Sequence, residues 1–236
     1  MTRLTLRDET PLRLSVRELT PERLAPLSHA EIERLPVAMG NRPSCVGDWF
    51  RVAASADAAL EFDGPCARID HIGADMRAGS VIVHGDAGAY LALGMCGGTI
   101  TVRGSAAFGA ATALRGGAVR IGGSAGDGLG GALPGEDGGM RDGIVVVAGN
   151  AGAGAGARLK RGLLAVCGAT GAGCGAGMIA GTIVVGGGVG AHAGAAMRRG
   201  TIVALSGIER VGPGFVDCGV HDLVFLRLLA RQLEGL

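Results

Sequence analysis

Two consecutive stretches decide the fold: GAGAGARLKRGLLAVCGAT (residues 152–170) and GAGCGAGMIAGTIVVGGGV (residues 171–189). Laid one under the other they agree at the opening glycines, at Leu159 and Met178, at Gly162 and Gly181, and at the apolar pairs Leu164/Val166 and Ile183/Val185. The offset is 19 residues. Working outward, the same position is held by Met76, Met95, Leu114, Met140, Leu159, Met178 and Met197, each 19 residues from the last except across a seven-residue insertion, Leu133 to Gly139.

The third residue after every anchor is glycine (Gly79, Gly98, Gly117, Gly143, Gly162, Gly181, Gly200). A short segment follows with apolar residues two apart, such as Val81/Val83, Ile100/Val102, Val119/Ile121 and Val145/Val147. A period of two is strand geometry. Each segment ends at a second glycine ladder, Gly85, Gly104, Gly123, Gly149, Gly168 and Gly187, and the unit is completed by Gly-x-Gly-x-Gly. An alternation of strand and helix needs 10 to 15 residues of 3.6-residue period per unit. Glycine-dense stretches cannot supply them.

One such unit cannot bury its apolar face alone. Stacked about 4.8 Å apart, equivalent positions form inward ladders and satisfy each other's backbone groups. The expected fold is an all-β, single-stranded, right-handed parallel β-helix of 19-residue coils, with Leu60 to Gly64, 21 residues before Val81 to Gly85, as a degenerate first coil.

The flanks read differently. Thr2 to Leu6 alternates as a strand, Thr20-Pro21-Glu22 is a helix start with proline at the first position, and Ser28 to Glu31 has capping-box spacing. Residues 45–52 and 58–63 read as strands, and Asp222 to Leu233 as a leucine-rich helix suited to capping the solenoid. The expected division is a lead-in over residues 1–57, the β-helix over 58–212 and the capping helix over 213–236.

Composition narrows the function classes. With 22 basic against 21 acidic residues, net charge is +1, which speaks against a broad nucleic-acid footprint. Six cysteines (Cys45, Cys66, Cys96, Cys167, Cys174, Cys218) form no CxxC pair or zinc spacing and read as small hydrophobes in a reducing compartment. Neither a signal peptide nor a membrane span is legible, so the expected location is the cytoplasm.

Several motifs look chemical and have plainer readings. Gly126-Asp127-Gly128-Leu129-Gly130-Gly131 is a literal GxGxxG, but a turn-forming insertion follows it where a dinucleotide fold needs a helix. The methionine column alternates with leucine and reads as core. The histidines His29, His71, His84, His192 and His221 fall at unrelated repeat positions, only His71 with Asp70 and Asp75 making a local polar group. No catalytic residue and no metal site is expected. The position after each anchor holds Arg77, Cys96, Arg115, Arg141, Lys160, Ile179 and Arg198. Stacking turns these into a cationic edge, and Arg77, Arg115, Arg141, Lys160 and Arg198 are candidate contacts for an anionic ligand or an acidic partner.

The Gly-x-Gly-x-Gly coils resemble the domain shared by the glutamate synthase large subunit and the C subunit of formylmethanofuran dehydrogenase. The leading segment, Leu35-Pro36-Val37 to Gly40-Asn41 and then Val46 to Val52, resembles the start of that C subunit. The resemblance implies a β-helical subunit, without a cofactor of its own, whose partners carry the chemistry. Those partners are formyltransferase and amidohydrolase-like subunits with a methanofuran-type carrier, as in the bacterial formyltransferase/hydrolase complex, or the dehydrogenase-like subunit of a tungsten or molybdenum enzyme. The arginine-rich, lysine-poor composition leans to the bacterial complex; a free-standing glutamate synthase-like scaffold is the further alternative.

Overall fold

The computed structural model describes residues 2–40, 42–53 and 58–234; Asn41, which closes the first motif of the resemblance, and the expected boundary at residue 57 lie outside them. In chain order the lead-in comprises β1 (Thr2–Leu6), β2 (Leu14–Ser15), α1 (Pro21–Leu24), α2 (His29–Glu33), β3 (Pro36–Met39), β4 (Arg42–Cys45), α3 (Val46–Trp49) and β5 (Phe50–Ala53). The coils follow, with strands β6 (Ala59–Asp63), β8 (Ser80–Val83), β9 (Thr99–Val102), β10 (Ala118–Ile121), β11 (Ile144–Val147), β12 (Leu163–Val166), β13 (Thr182–Val185) and β14 (Thr201–Ala204). A short β7 (Ile69–Asp70) lies within the first coil and α4 (Val224–Glu234) ends the chain.

Strands β6 and β8 to β14 pair in parallel, each on the next. The register is the one the repeat dictates: Val81 lies on Ile100, Ile100 on Val119 and, across the insertion, Val119 on Val145. The chain is thus a parallel β-helix of eight coils. Isolated bridges Ala87–Ala106, Ala106–Ala125 and Ala125–Ala151 carry the ladder round the next corner.

The glycine that follows each anchor is required at close quarters. Gly98 has φ +86°, and a Cβ there would sit 2.6 Å from the Gly79 carbonyl oxygen and 2.7 Å from the Met76 methyl. Glycine alone adopts that conformation freely and leaves room for the coil below. Met76, Met95, Met140 and Met178 are fully buried, as a core column should be.

The Gly-x-Gly-x-Gly run has a backbone explanation. Its three alternate positions are left-handed in coil after coil, as at Gly154, Gly156 and Arg158, or Gly173, Gly175 and Gly177. Their N–H groups point alternately forward and back: Gly154 donates to Ala172, Gly156 to Leu129 and Arg158 to Ala176. The run therefore serves as one wall of the rod, bonded on both sides without extended strands.

A side-chain ladder runs along another corner. The Asp86 carboxylate accepts from Ser105 N (2.7 Å), Ser105 Oγ from Ser124 N (3.1 Å), Ser124 Oγ from Asn150 N (3.1 Å) and Asn150 Oδ1 from Ala169 N (2.8 Å). Each acceptor satisfies a turn N–H of the next coil.

At the N-terminal end β1 lies between β6, in parallel, and β5, antiparallel. Phe50 meets Phe62 edge to face at 6.1 Å, and Leu4, Leu24 and Ile32 are buried beside them. Helices α1 and α2 form where expected, with proline opening α1 and a complete capping box on α2. Residues 45–52 do not form one strand. Asp48 accepts from Cys45 N and Ser44 Oγ, both at 2.8 Å, which nucleates α3 before β5 begins at Phe50.

The C-terminal end also departs from expectation. Helix α4 forms, but it buries none of its residues and does not close the last coil. Its Leu229 and Gln232 line a groove with Gly116, Gly143, Gly162 and Thr182, on the flank of the middle coils. Among the described residues strand β14 pairs with β13 alone, and Leu205, Val211, Val216 and Val220 beyond it are exposed.

Candidate functional site

The position after each anchor does stack. Cys96 N donates to Met76 O, Arg115 N to Met95 O, Lys160 N to Met140 O, Ile179 N to Leu159 O and Arg198 N to Met178 O, all at 2.8 Å, and Arg141 N to Leu114 O at 2.6 Å. At the foot of the column Arg77 N donates to Glu22 Oε1 of α1 at 2.9 Å. The side chains of Arg77, Arg115, Arg141 and Arg198 are exposed and that of Lys160 half-buried. Among the described residues none of these five makes an ion pair. The column is interrupted at Cys96 and Ile179, so its cations fall into groups rather than a uniform stripe.

A second constellation gathers round His71, and it is larger than the Asp70/His71/Asp75 group visible in the sequence. Arg13 binds Asp70 through two hydrogen bonds (2.7 and 2.6 Å), and Asp70 Oδ1 also accepts from Ala89 N at 2.7 Å. Arg17 binds Asp75 at 2.9 and 2.6 Å. Ser15 Oγ lies 3.0 Å from His71 Nδ1, and the imidazole stacks on Tyr90 with centroids 5.5 Å apart. Tyr90 in turn meets Phe108 edge-on at 5.5 Å.

Chemically this group is a staple. Asp70 is committed to Arg13 and the Ala89 amide and Asp75 to Arg17, so among the described residues no carboxylate bonds to the imidazole as a catalytic triad requires. Burial holds the His71 pKa below the usual histidine value, against the pull of Asp70. The hydrogen bond with Asp70 raises the Arg13 pKa further. The charges bond lead-in residues to the first coil, where β2 pairs with β7.

One expectation is corrected here. His71 and His192 do not occupy unrelated positions: both stand at the first left-handed position of their coils, equivalent to Tyr90, Gly109, Gly128, Gly154 and Gly173. The insertion between Leu133 and Gly139 hides the equivalence in the sequence, because it breaks the 19-residue count.

Glu61 is buried on the first coil, held by Arg3 at 2.7 Å and approached by His84 at 3.4 Å. Burial pushes the Cys66 thiol up to about 12 and raises that of Cys174, which makes both poor nucleophiles. Among the described residues no three His, Cys, Asp or Glu side chains gather to hold a metal ion, and no helix is long and apolar enough to cross a membrane.

No protein-family profile matches the chain. Among curated proteins, the C subunit of the formyltransferase/hydrolase complex Fhc of Methylorubrum extorquens is 41% identical over 91 residues, 39% of this chain and 34% of that protein. The C subunit of the molybdenum-containing formylmethanofuran dehydrogenase 1 of Methanothermobacter thermautotrophicus is 34% identical over 75 residues, 31% of this chain and 19% of its own. The aligned segments thus span about a third of these relatives' length or less. Among solved structures, a chain of the formyltransferase/hydrolase complex FhcABCD from Methylorubrum extorquens, crystallised in complex with methylofuran, superposes with a TM-score of 0.92 at 40% identity, over 99% of this chain and 87% of that one.

The chain belongs to the C-subunit family of these complexes. The geometry of this family member is a rod with one closed end, a staple of charges at that end and a broken cationic edge along its length. Sequence reasoning placed the edge but missed Arg158, which stands at a left-handed position that glycine or alanine fills in the next two coils (Gly177 and Ala196). The signal was present as an arginine in a Gly-x-Gly-x-Gly run.

Proposed function

We propose that this chain is the C subunit of a formyltransferase/hydrolase complex, which passes a formyl group from tetrahydromethanopterin to a methanofuran-type carrier and releases formate. It braces the transferase and amidohydrolase-like subunits, its rod spanning residues 58–212. The observation that carries this reading is the superposition on a chain of FhcABCD along nearly the whole length of both. The dehydrogenase relatives match at lower identity, 31% to 36% over 63 to 90 residues, which favours the hydrolytic complex over a tungsten or molybdenum enzyme.

In this reading the unpaired cations Arg77, Arg115, Arg141, Lys160 and Arg198 face an anionic carrier or an acidic partner and steer it by charge. The test is purification of the tagged chain from its host, with bound proteins identified by mass spectrometry. Transferase and hydrolase subunits in fixed proportion are expected. Reversing the charge of Arg115, Arg141 and Lys160 together should leave those subunits bound and slow formyl transfer. A chain that purifies alone, or with a molybdenum, tungsten or flavin enzyme, refutes the assignment; unchanged kinetics refute the steering.

A further inference from the structure

The cationic edge contains one built recess. A cleft of about 480 Å³ opens between the turn before β12 and the turn before β14, lined by Asp137, Arg158, Lys160, Gly177, Ile179, Ala196 and Arg198. Arg158 and Lys160 stand at its lower rim and Arg198 two coils above, roughly 10 Å away on a spacing of about 4.8 Å per coil. The intervening coil supplies no cation: Gly177 and Ile179 form the floor. The hollow exists because this coil lacks the long side chain that its neighbours carry.

Two features mark the recess as more than a chance gap. The insertion is tied down beside it, with Gly139 N donating to Arg158 O at 2.9 Å and Arg158 Nη1 donating to the Glu136 carbonyl at 2.7 Å. Lys160 passes directly beneath Gly138, where any Cβ would overlap its stem. The insertion thus orders two cations.

Charge is left unbalanced. The single acid lining the cleft is Asp137, whose carboxylate is fully exposed and lies 3.7 Å from Arg158 Nη1. An ion pair that long and that wet contributes little. It is readily exchanged for a better-placed anion, and an oxyanion with two or more charged groups could meet both rims at once, with bidentate contact to an arginine at either end.

We propose that this recess binds a small multivalent oxyanion between Arg158 and Lys160 below and Arg198 above, and that Asp137 of the insertion is an internal counter-ion which the ligand displaces. The site refines the cationic edge of the proposed function, and it rests on that reading for the edge's biological use alone, since binding is measured on the full chain without partners. Calorimetric titration with citrate and with pyrophosphate tests it, the two probes separating a carboxylate from a phosphate ligand.

Binding of either probe in 1:1 ratio, weakened at least tenfold in Arg158→Gln and Arg198→Gln and tightened several-fold in Asp137→Asn, is the expected result. Arg103→Gln, outside the cleft, should leave affinity unchanged, and circular dichroism establishes that each variant is folded. Absence of binding by both probes overturns the site. So does equal weakening by Arg103→Gln, which would mean diffuse attraction, or an Asp137→Asn variant with unaltered affinity. Association with partner subunits is unaffected by any of these outcomes, so the two proposals fail separately.

Discussion

At the scale of single residues, the fold is governed by positions where only one side chain serves. The glycine after each anchor is one: in Gly98→Ala the new methyl would press on the Gly79 carbonyl at a φ of +86°. Strain and displacement together should cost about 1–3 kcal/mol, measured as a lower thermal midpoint with the β-helix still formed. His71 is another. Its folded pKa lies below the unfolded value of 6.5, so the unfolded chain binds the extra proton first. Stability is therefore fully present above that value and is lost as pH falls from about 6.5 toward the depressed folded pKa. In the variant His71→Asn, which tolerates the left-handed backbone, this part of the acid slope should vanish when thermal midpoints are compared at pH 5.5 and 7.5; an unchanged slope assigns the effect elsewhere. These residues were unequally legible. The anchors and glycines announce themselves by recurrence, whereas the stacking of His71 on Tyr90 joins residues whose types differ from coil to coil.

At the scale of elements, recurrence again separates what could be read from what could not. The strands β8 to β14 each repeat one alternation of apolar residues, and the backbone ladder leaves them a single register. Helix α3 is four residues long and rests on one carboxylate, Asp48, whose pKa is held down by the Cys45 amide and the Ser44 hydroxyl. Its apolar residues are too few to show a helical period. The helix at the C-terminus was legible as a helix but not in its placement, because amphipathicity states that a face will be covered and not by what. Since α4 buries none of its residues against the rod, a chain ending at Asp222 should show the thermal midpoint of the full chain within about 2 °C, the shift expected for well under 1 kcal/mol. A large drop would mean that the helix supports the coils.

At the scale of the whole molecule, the rod is asymmetric. One end is closed by Phe50, Leu4 and Ile32, while the other leaves β14 and the apolar residues after it in the open. Exposed apolar surface of this kind is a mark of proteins that work in assemblies, which agrees with a subunit that braces others. On the proposed reading, the cationic edge is the surface through which this chain influences chemistry. The most direct test of that account is formyl transfer measured in a complex assembled with and without this chain, alongside the chain by itself. Transfer is expected to collapse when the chain is omitted, to return when it is added back, and to be undetectable in the chain alone. Full transfer without it, or turnover by the isolated chain, would contradict the account.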